Sequence, residues 1–344
     1  MRFLLLPLSI FYGFIVGIRN KLFNWKILKN KTFNIPIICV GNISIGGTGK
    51  TPHIEYLIKV LSNKKIAVLS RGYGRVTKGV RFVKEDENYL HVGDEPLQIK
   101  QKFPKVKVIV SENRRKGVQE ILRKFPETEV ILMDDGFQHR YLNTGLNIIL
   151  NNYEKPIYSD YLIPFGGLRE SINSLKRAKI IITTKCPKLN EEEKNYISKK
   201  VNLQKNQLKY FSSIEYDKCR NLISKTAISN LKGYNILLVT SIANAHNLKN
   251  YLEHNQNTVN HLAFPDHHKF SDKNINDILT KFKDNNYDKN IILTTEKDKV
   301  KLTNFIDYFK GINIYYIQIK VNIQNYKKFN NEILKYVTNY KREL

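Results

Sequence analysis

The sequence predicts an α/β protein with a mostly parallel sheet, and three observations carry that prediction. Short apolar runs rich in Ile, Val and Leu alternate with amphipathic segments, the pattern of strands covered by helices. One such run, 37–40, passes at once into a glycine-rich loop and a helix. The alternation then pauses over a polar, charged stretch at 190–207 and resumes. We therefore expect a core domain over 31–205 and a second, smaller α/β lobe over 206–344. An apolar segment, 1–30, precedes both.

With 344 residues, 42% of them hydrophobic, the chain is long enough to bury two cores. Lys and Arg number 57 against 31 Asp and Glu, a formal net charge of +26. That field favours anionic partners: nucleic acid, lipid headgroups or phosphorylated substrates. The basic residues are spread along a chain rich in Lys and Asn throughout, so compositional bias accounts for part of the excess. The three cysteines, Cys39, Cys186 and Cys219, form no C-x-x-C. They indicate neither a disulfide framework nor a zinc site, and they fit a reducing compartment.

Residues 3–18 read FLLLPLSIFYGFIVGI. As a helix this segment rises about 24 Å, short of a hydrocarbon core of about 30 Å. Pro7, Gly13 and Gly17 weaken it, and Arg19, Lys21, Lys26, Lys29 and Lys31 follow instead of a cleavage site. It reads as a membrane-interfacial helix, with Phe, Leu and Trp25 entering lipid and the basic flank meeting anionic headgroups. The alternative is a buried first helix.

The stretch 41–52 reads GNISIGGTGKTP. Strand, glycine loop and helix in succession turn backbone N–H groups inward and suit a polyphosphate. This is the arrangement of a P-loop NTPase core. Lys50 would reach the β- and γ-phosphates and the Thr51 hydroxyl would ligate Mg²⁺. Pro52 sits where a missing N–H costs little. The strict pattern G-x-x-x-x-G-K-[ST] fails at one position, where Ser44 replaces glycine. The alternative is a glycine turn with no ligand.

A second strand at 66–70 ends in RGYGR (71–75), either an anion-binding turn or a plain glycine turn. GDEP (93–96) opens a helix to about 103, where acidic residues are favoured in any case. A third strand at 106–110 precedes a helix opened by Arg114, Arg115 and Lys116. A fourth at 130–133 runs into DDGFQHR (134–140), whose carboxylates are the expected second half of a Mg²⁺ site. Strands at 146–150 and 179–184 flank PFGGLRE (164–170), a glycine turn read as leading into a helix.

In the second lobe, strands are expected near 208–216, 236–240, 258–264, 291–294 and 312–319. Two of them end in FPDHHKF (264–270) and TTEKD (294–298). The adjacent histidines lack a third ligand at zinc spacing. A histidine beside an aspartate at a strand end suits acid/base work better.

Taken together, GNISIGGTGKTP, SRGYGR, GDEP, DDGFQHR, PFGGLRE, FPDHHKF and TTEKD occur in order across nearly the whole chain. In this the sequence resembles the tetraacyldisaccharide 4'-kinase family, the lipid A 4'-kinases of Gram-negative bacteria. That family also carries Ser or Thr at the position of Ser44, and a short apolar N-terminal helix on the cytoplasmic membrane face. The resemblance implies transfer of the ATP γ-phosphate to the 4'-hydroxyl of a membrane-held, tetraacylated glucosamine disaccharide 1-phosphate. The product would be lipid IVA, a lipid A precursor. ATP and Mg²⁺ are the implied cofactors. The implied partners are the lipid and the inner-membrane surface, on its cytoplasmic face, with no nucleic acid expected.

By matched position, Ser44, Gly46, Gly47, Thr48, Gly49, Lys50 and Thr51 would hold nucleotide, and Thr51, Asp134 and Asp135 the metal. Asp94 matches the general base and His267 its partner. Arg71, Arg115 and Arg169 are candidate charge stabilisers beside Lys50. Gln138, His139 and Glu170 are candidates for nucleotide or substrate contact. Two other classes compete with this reading. A basic P-loop ATPase or GTPase would have its hydrolysis stimulated by nucleic acid or protein. A nucleotide-binding membrane adaptor would leave both acidic clusters unexplained.

Overall fold

The computed structural model describes residues 2–228, 230–284 and 289–340. Its centre is strand β1 (Ile37–Gly41), five residues buried on both faces. Ile38 and Val40 pack into one apolar cluster and Ile37 and Cys39 into another, so the unbroken apolar run is explained by helices on both sides.

Around β1 the elements follow in order: α1 (Leu6–Asn24) before it, then α2 (Lys50–Val60), β2 (Ile66–Ser70), β3 (Arg81–Phe82), α3 (Tyr89–Val92), α4 (Asp94–Lys102), β4 (Lys107–Val110), α5 (Arg114–Lys124), β5 (Val130–Asp134), β6 (Leu146–Asn152), β7 (Ile180–Thr184) and α6 (Glu191–Val201). The second half holds β8 (Leu208–Asn221), β9 (Ala227–Ile228), β10 (Asn235–Thr240), α7 (His246–His254), β11 (Thr258–Ala263), α8 (Asp272–Lys283), β12 (Asn290–Thr295), α9 (Glu296–Leu302), β13 (Ile314–Ile323) and α10 (Tyr326–Thr338).

The strands form one sheet in the order β11-β10-β12-β13-β8-β7-β6-β1-β5-β2-β4-β3, with β9 on β8. Strand β8 joins its two halves. Residues Leu208 to Phe211 pair in parallel with β7. From Ser212 onward β8 pairs with β13 instead, antiparallel. Because β10, β11 and β12 run parallel to β13, the second half is inverted relative to the first. Its strands therefore end toward the ends of the first-half strands. Loops that leave β1, β2 and β5 consequently face loops that leave β10, β11 and β12 across one cleft.

A buried charge cluster fixes three helices beside that cleft. Lys102 Nζ on α4 lies 2.7 Å from Glu55 of α2 and 2.6 Å from Glu296 of α9. Gln98 donates to Glu55 at 2.8 Å. Each of these helices carries a candidate site residue at or near its N-terminal end.

Several expectations shift. The polar stretch at 190–207 contains α6, begun by a capping box of Asn190 and Glu193. The turn after Glu170 leads only to a 3₁₀ segment, Ile172–Arg177, because Ala178 is already extended and β7 starts at Ile180. Helix α1 outruns its apolar stretch, ending at Asn24, since its polar last turns dock on protein. Arg19 and Asn20 meet Glu170 at 3.4 and 3.2 Å, and Arg140 donates to Asn20 and Asn24. Residues Phe3–Asn24 are consequently long and apolar enough to cross a membrane, by length and composition.

Candidate active site

The glycine loop leaves β1 and is braced from three directions. Arg169 N–H donates to the Ile43 carbonyl at 2.6 Å and Ile45 N–H to that of Gly167 at 2.7 Å. Ser44 bridges to Leu168. Asn42 Nδ2 donates to Thr48 Oγ1 at 2.9 Å, and Thr184 Oγ1 donates to the Thr48 carbonyl at 3.0 Å. Gly46 and Gly47 lie open, while Thr48 and Thr51 are buried. Gly49 caps α2 with φ +87°, a conformation that favours glycine. Lys50 follows at the first position of the helix, where orphan N–H groups and the helix dipole favour an anion.

Strand β5 delivers the two carboxylates. Asp134 is 2% exposed and accepts from Ser70 Oγ at 3.2 Å through Oδ2. Its Oδ1 is buried and has no hydrogen-bond partner among the described residues. Burial, then the charge of Glu95, push its carboxyl up to about 7, against the opposing pull of Lys50. Asp135 behaves in the opposite sense. Burial acts against its charge, but Lys50 and Arg169 outweigh it and hold the group below the usual carboxylate range. Arg169 grips it with Nη1–Oδ2 at 3.2 Å and Nη2–Oδ1 at 3.0 Å, and Lys50 Nζ stands 3.7 Å away.

The oxygen-only donors here suit a hard cation, and Asp134 Oδ1 is an unclaimed one. Among the described residues no cluster of three or more His, Cys, Asp or Glu could hold a metal unaided.

On the same side of the cleft, Asp94 opens α4 behind Gly93, whose φ of +94° and close approach to Gly72 disfavour a side chain. Asp94 is 4% exposed. Its Oδ1 accepts from Glu95 N–H at 2.9 Å and its Oδ2 meets His267 Nδ1 at 3.0 Å. Burial opposes its charge, but the His267 hydrogen bond, Lys297 and Lys301 hold its carboxyl well below the usual range. His267 adopts a left-handed φ of +58°, and the Tyr73 ring packs on it at 4.8 Å.

The TTEKD segment, to which the sequence assigns no role, surrounds this pair. Lys297 Nζ lies 3.2 Å from His267 Nε2 and 3.2 Å from Glu95 Oε1. Thr295 and Ser241 bind Asp298, and Asp298 anchors Lys301 at 3.1 Å. Lys301, 1% exposed, reaches Asp94 Oδ2 at 3.5 Å. No motif marks Lys301; an interior lysine in a short helix reads as surface. Asn42 lies in the 41–52 motif but is given no role by it, although its carbonyl accepts from Gln138 Nε2 at 2.9 Å and its side chain accepts from Arg169.

The structure distributes the remaining candidates unevenly. Arg114, 2% exposed, donates to the Asp135 carbonyl at 3.4 Å. Arg115, one residue on, is exposed against the Tyr141 ring. Helical phase thus brings Arg114, not Arg115, to the acidic pair. Arg71 is exposed at the cleft; its charge and that of Arg114 join burial in lowering His139 to about 4. Glu170 is fully buried, bound by Arg19, Asn20 and Arg177, so its carboxylate ties α1 to the core and does not face the cleft.

A family model described as Tetraacyldisaccharide-1-P 4'-kinase matches residues 1–338. The chain is 41% identical over 351 residues to the tetraacyldisaccharide 4'-kinase of Bacteroides thetaiotaomicron, covering 97% of this chain and 92% of that one. It is 42% identical over 349 residues to that of Flavobacterium psychrophilum, with coverages of 98% and 97%. Among solved structures, Aquifex aeolicus LpxK in complex with ATP superposes with a TM-score of 0.77 at 28% identity, over 98% of this chain and 99% of that one.

Proposed function

The chain belongs to the tetraacyldisaccharide 4'-kinase family, and from that premise we infer how its cleft performs the reaction. The protein is an ATP-dependent lipid kinase. It transfers the γ-phosphate of ATP to the 4'-hydroxyl of a tetraacylated disaccharide 1-phosphate, a step of lipid A biosynthesis. One observation carries the mechanistic reading: the contact of Asp94 with His267, 3.0 Å across the cleft that also holds the glycine loop and acidic pair.

In this reading the loop 44–51 cradles the phosphates and Lys50 neutralises charge on the β- and γ-phosphates. Arg169 fixes Asp135 and with it the loop; Arg114 and Arg71 add positive charge at the cleft. Thr51, Asp134 and Asp135 would hold Mg²⁺, Asp134 being the favoured direct ligand because Asp135 is already gripped by Arg169. When bound, the ion supplies charge stabilisation to the transferring phosphoryl group. Asp94 and His267 act as one unit that takes the hydroxyl proton, and Lys297 and Lys301 balance its charge. The chain is read as two lobes, 31–205 and 206–344, that meet at this site.

Helix α1 is read as lying in the cytoplasmic face of the inner membrane. One side docks on protein: Ser9 donates to the Leu162 carbonyl at 2.7 Å and Tyr12 to that of Arg169 at 2.8 Å. The other side leaves Ile10, Phe11 and Phe14 exposed by 65, 63 and 64%. A helix pinned along one side has its lipid contact on the other, and each large apolar side chain buried there contributes about 1.5–3 kcal/mol.

Incubation with γ-labelled ATP, Mg²⁺ and detergent-dispersed tetraacyldisaccharide 1-phosphate is expected to give a labelled bisphosphorylated lipid. Label released only as free phosphate, stimulated by nucleic acid or protein, would favour a hydrolase instead. The membrane reading has its own test. Phe11→Glu with Phe14→Glu should move the protein from the membrane to the soluble fraction. Activity on bilayer substrate should fall at least ~10-fold, with activity on detergent-dispersed substrate retained. Persistent membrane sedimentation of this variant would assign the anchoring to the basic surface, which salt screens.

A further inference from the structure

His53 lies in the first turns of α2 and is 2% exposed, and both of its ring nitrogens are engaged inside the protein. Nδ1 stands 2.7 Å from the Gly49 carbonyl oxygen. A carbonyl can only accept, so Nδ1 carries the proton. Nε2 stands 3.1 Å from Ser212 Oγ. In the neutral ring Nε2 is then the acceptor, and Ser212 donates. Burial holds the ring down to about 4, so this tautomer persists at neutral pH.

The Gly49 carbonyl also receives the backbone N–H of His53, at 3.3 Å. It is thus drawn along α2 by two donors from one residue. In a trans peptide the carbonyl and the next N–H point in opposite directions. With the Gly49 carbonyl aimed into the helix, the Lys50 N–H points out of its N-terminal end, where a phosphate would sit. A left-handed glycine has wide freedom in this plane, and His53 removes it.

The other anchor is equally placed. Ser212, 1% exposed, is the residue at which β8 leaves β7 and takes up β13; Phe211 still pairs with Thr183, and Ser212 faces Ile323. Its carbonyl accepts from Cys186 N–H at 2.9 Å. The ring therefore spans from the glycine loop to the joint between the two halves of the sheet.

We propose that His53 is a positioning residue for the nucleotide: it sets the Gly49–Lys50 peptide plane and fastens it to strand β8 through Ser212. The proposal rests on the reading of 44–51 as the nucleotide loop.

Two substitutions separate the anchors. In His53→Asn the side-chain NH₂ can replace Nδ1 and still donate to Gly49, but it does not reach Ser212. In His53→Gln the longer amide can accept from Ser212, but the Gly49 carbonyl loses its side-chain donor. ATP dissociation constants, ATP and lipid KM, kcat and melting temperature are measured for both in the full-length protein. The expected result is an ATP Kd about tenfold weaker for Gln, the scale of one lost hydrogen bond. Asn, which keeps the donor to Gly49 but loses the Ser212 anchor, should weaken it about threefold, as should Ser212→Ala, and the lipid KM of both should be unchanged. Equal melting-temperature losses with unchanged ATP affinity in both variants would overturn the proposal and leave His53 a packing residue. Where a variant at 53 does not fold, Ser212→Ala keeps the ring and removes only its donor. A wild-type ATP Kd in Ser212→Ala overturns the tie to β8. Lys50→Ala run in parallel distinguishes the two levels: if it too binds ATP normally, the loop assignment fails, not only the role of His53.

Discussion

Lys50→Ala is expected to lower kcat/KM by at least ~100-fold, about 2.7 kcal/mol of transition-state stabilisation. The charge lost lies at the first position of α2, 3.7 Å from Asp135 Oδ2. Phosphoryl transfer proceeds with charge spread over the equatorial oxygens, and there is little covalent work for the protein to do. A point charge aimed at those oxygens is therefore among its largest contributions. Folding should be nearly indifferent. Lys50 is partly exposed, and such a pair contributes only about 0–1 kcal/mol to stability. Lys50→Arg should also fail, since a planar fork does not occupy the position of a compact ammonium. Steady-state kinetics with varied ATP, alongside thermal melting, provides the check. Near-normal turnover in a stably folded Lys50→Ala protein would remove the loop from the mechanism.

Asp94→Asn is expected to reduce kcat by ~10²–10⁴-fold, the range for loss of a positioned acid/base group, with ATP affinity nearly unchanged. The asparagine keeps the size and can still accept from Glu95 N–H, but it takes no proton from the hydroxyl. His267→Ala should lose activity on the same scale. Because the two touch at 3.0 Å, the losses should be strongly non-additive in a double-mutant cycle on kcat/KM. Additive losses would dissolve the unit, and a large loss of ATP affinity in Asp94→Asn would move that residue to the nucleotide. The depressed value of Asp94 has a defined sign in stability too. Its contribution is full above the ordinary aspartate value of about 3.9 and is lost as pH falls below it. The neutral pH range therefore leaves the charge of Asp94 untouched, and any pH limb seen there has another origin.

What could be read from the sequence was local. The runs 37–40 and 130–133 announce β1 and β5, since β-branched residues buried on both faces need no partner information to be recognised. The loop at 44–51 and the carboxylates at 134 and 135 follow directly from those strand ends. The inversion of the second half at Ser212 is a matter of long-range pairing, and nothing within β8 signals it. Arg114 and Arg115 are adjacent in sequence, and only the phase of α5 decides which is buried. Glu170 looks like a ligand in its motif, yet Arg19 and Asn20, about 150 residues earlier, claim it. Lys301 and Lys297 gain meaning only once α9 is laid against α4.

The cluster of Glu55, Lys102 and Glu296 bears on how such a chain can be recombined. One ammonium on α4 serves two buried carboxylates, one on α2 and one on α9, and these three helices bear Asp94, Lys50 and Lys297 at or near their starts. A segment exchanged singly with a relative lacking the complementary charge would leave a buried ion unmatched, a loss of about 3–5 kcal/mol against a total stability of about 5–15. The three helices are therefore one heritable block, though they lie far apart in the gene. Functional chimeras should have their crossovers outside that block, and substitutions within it should be tolerated in sets.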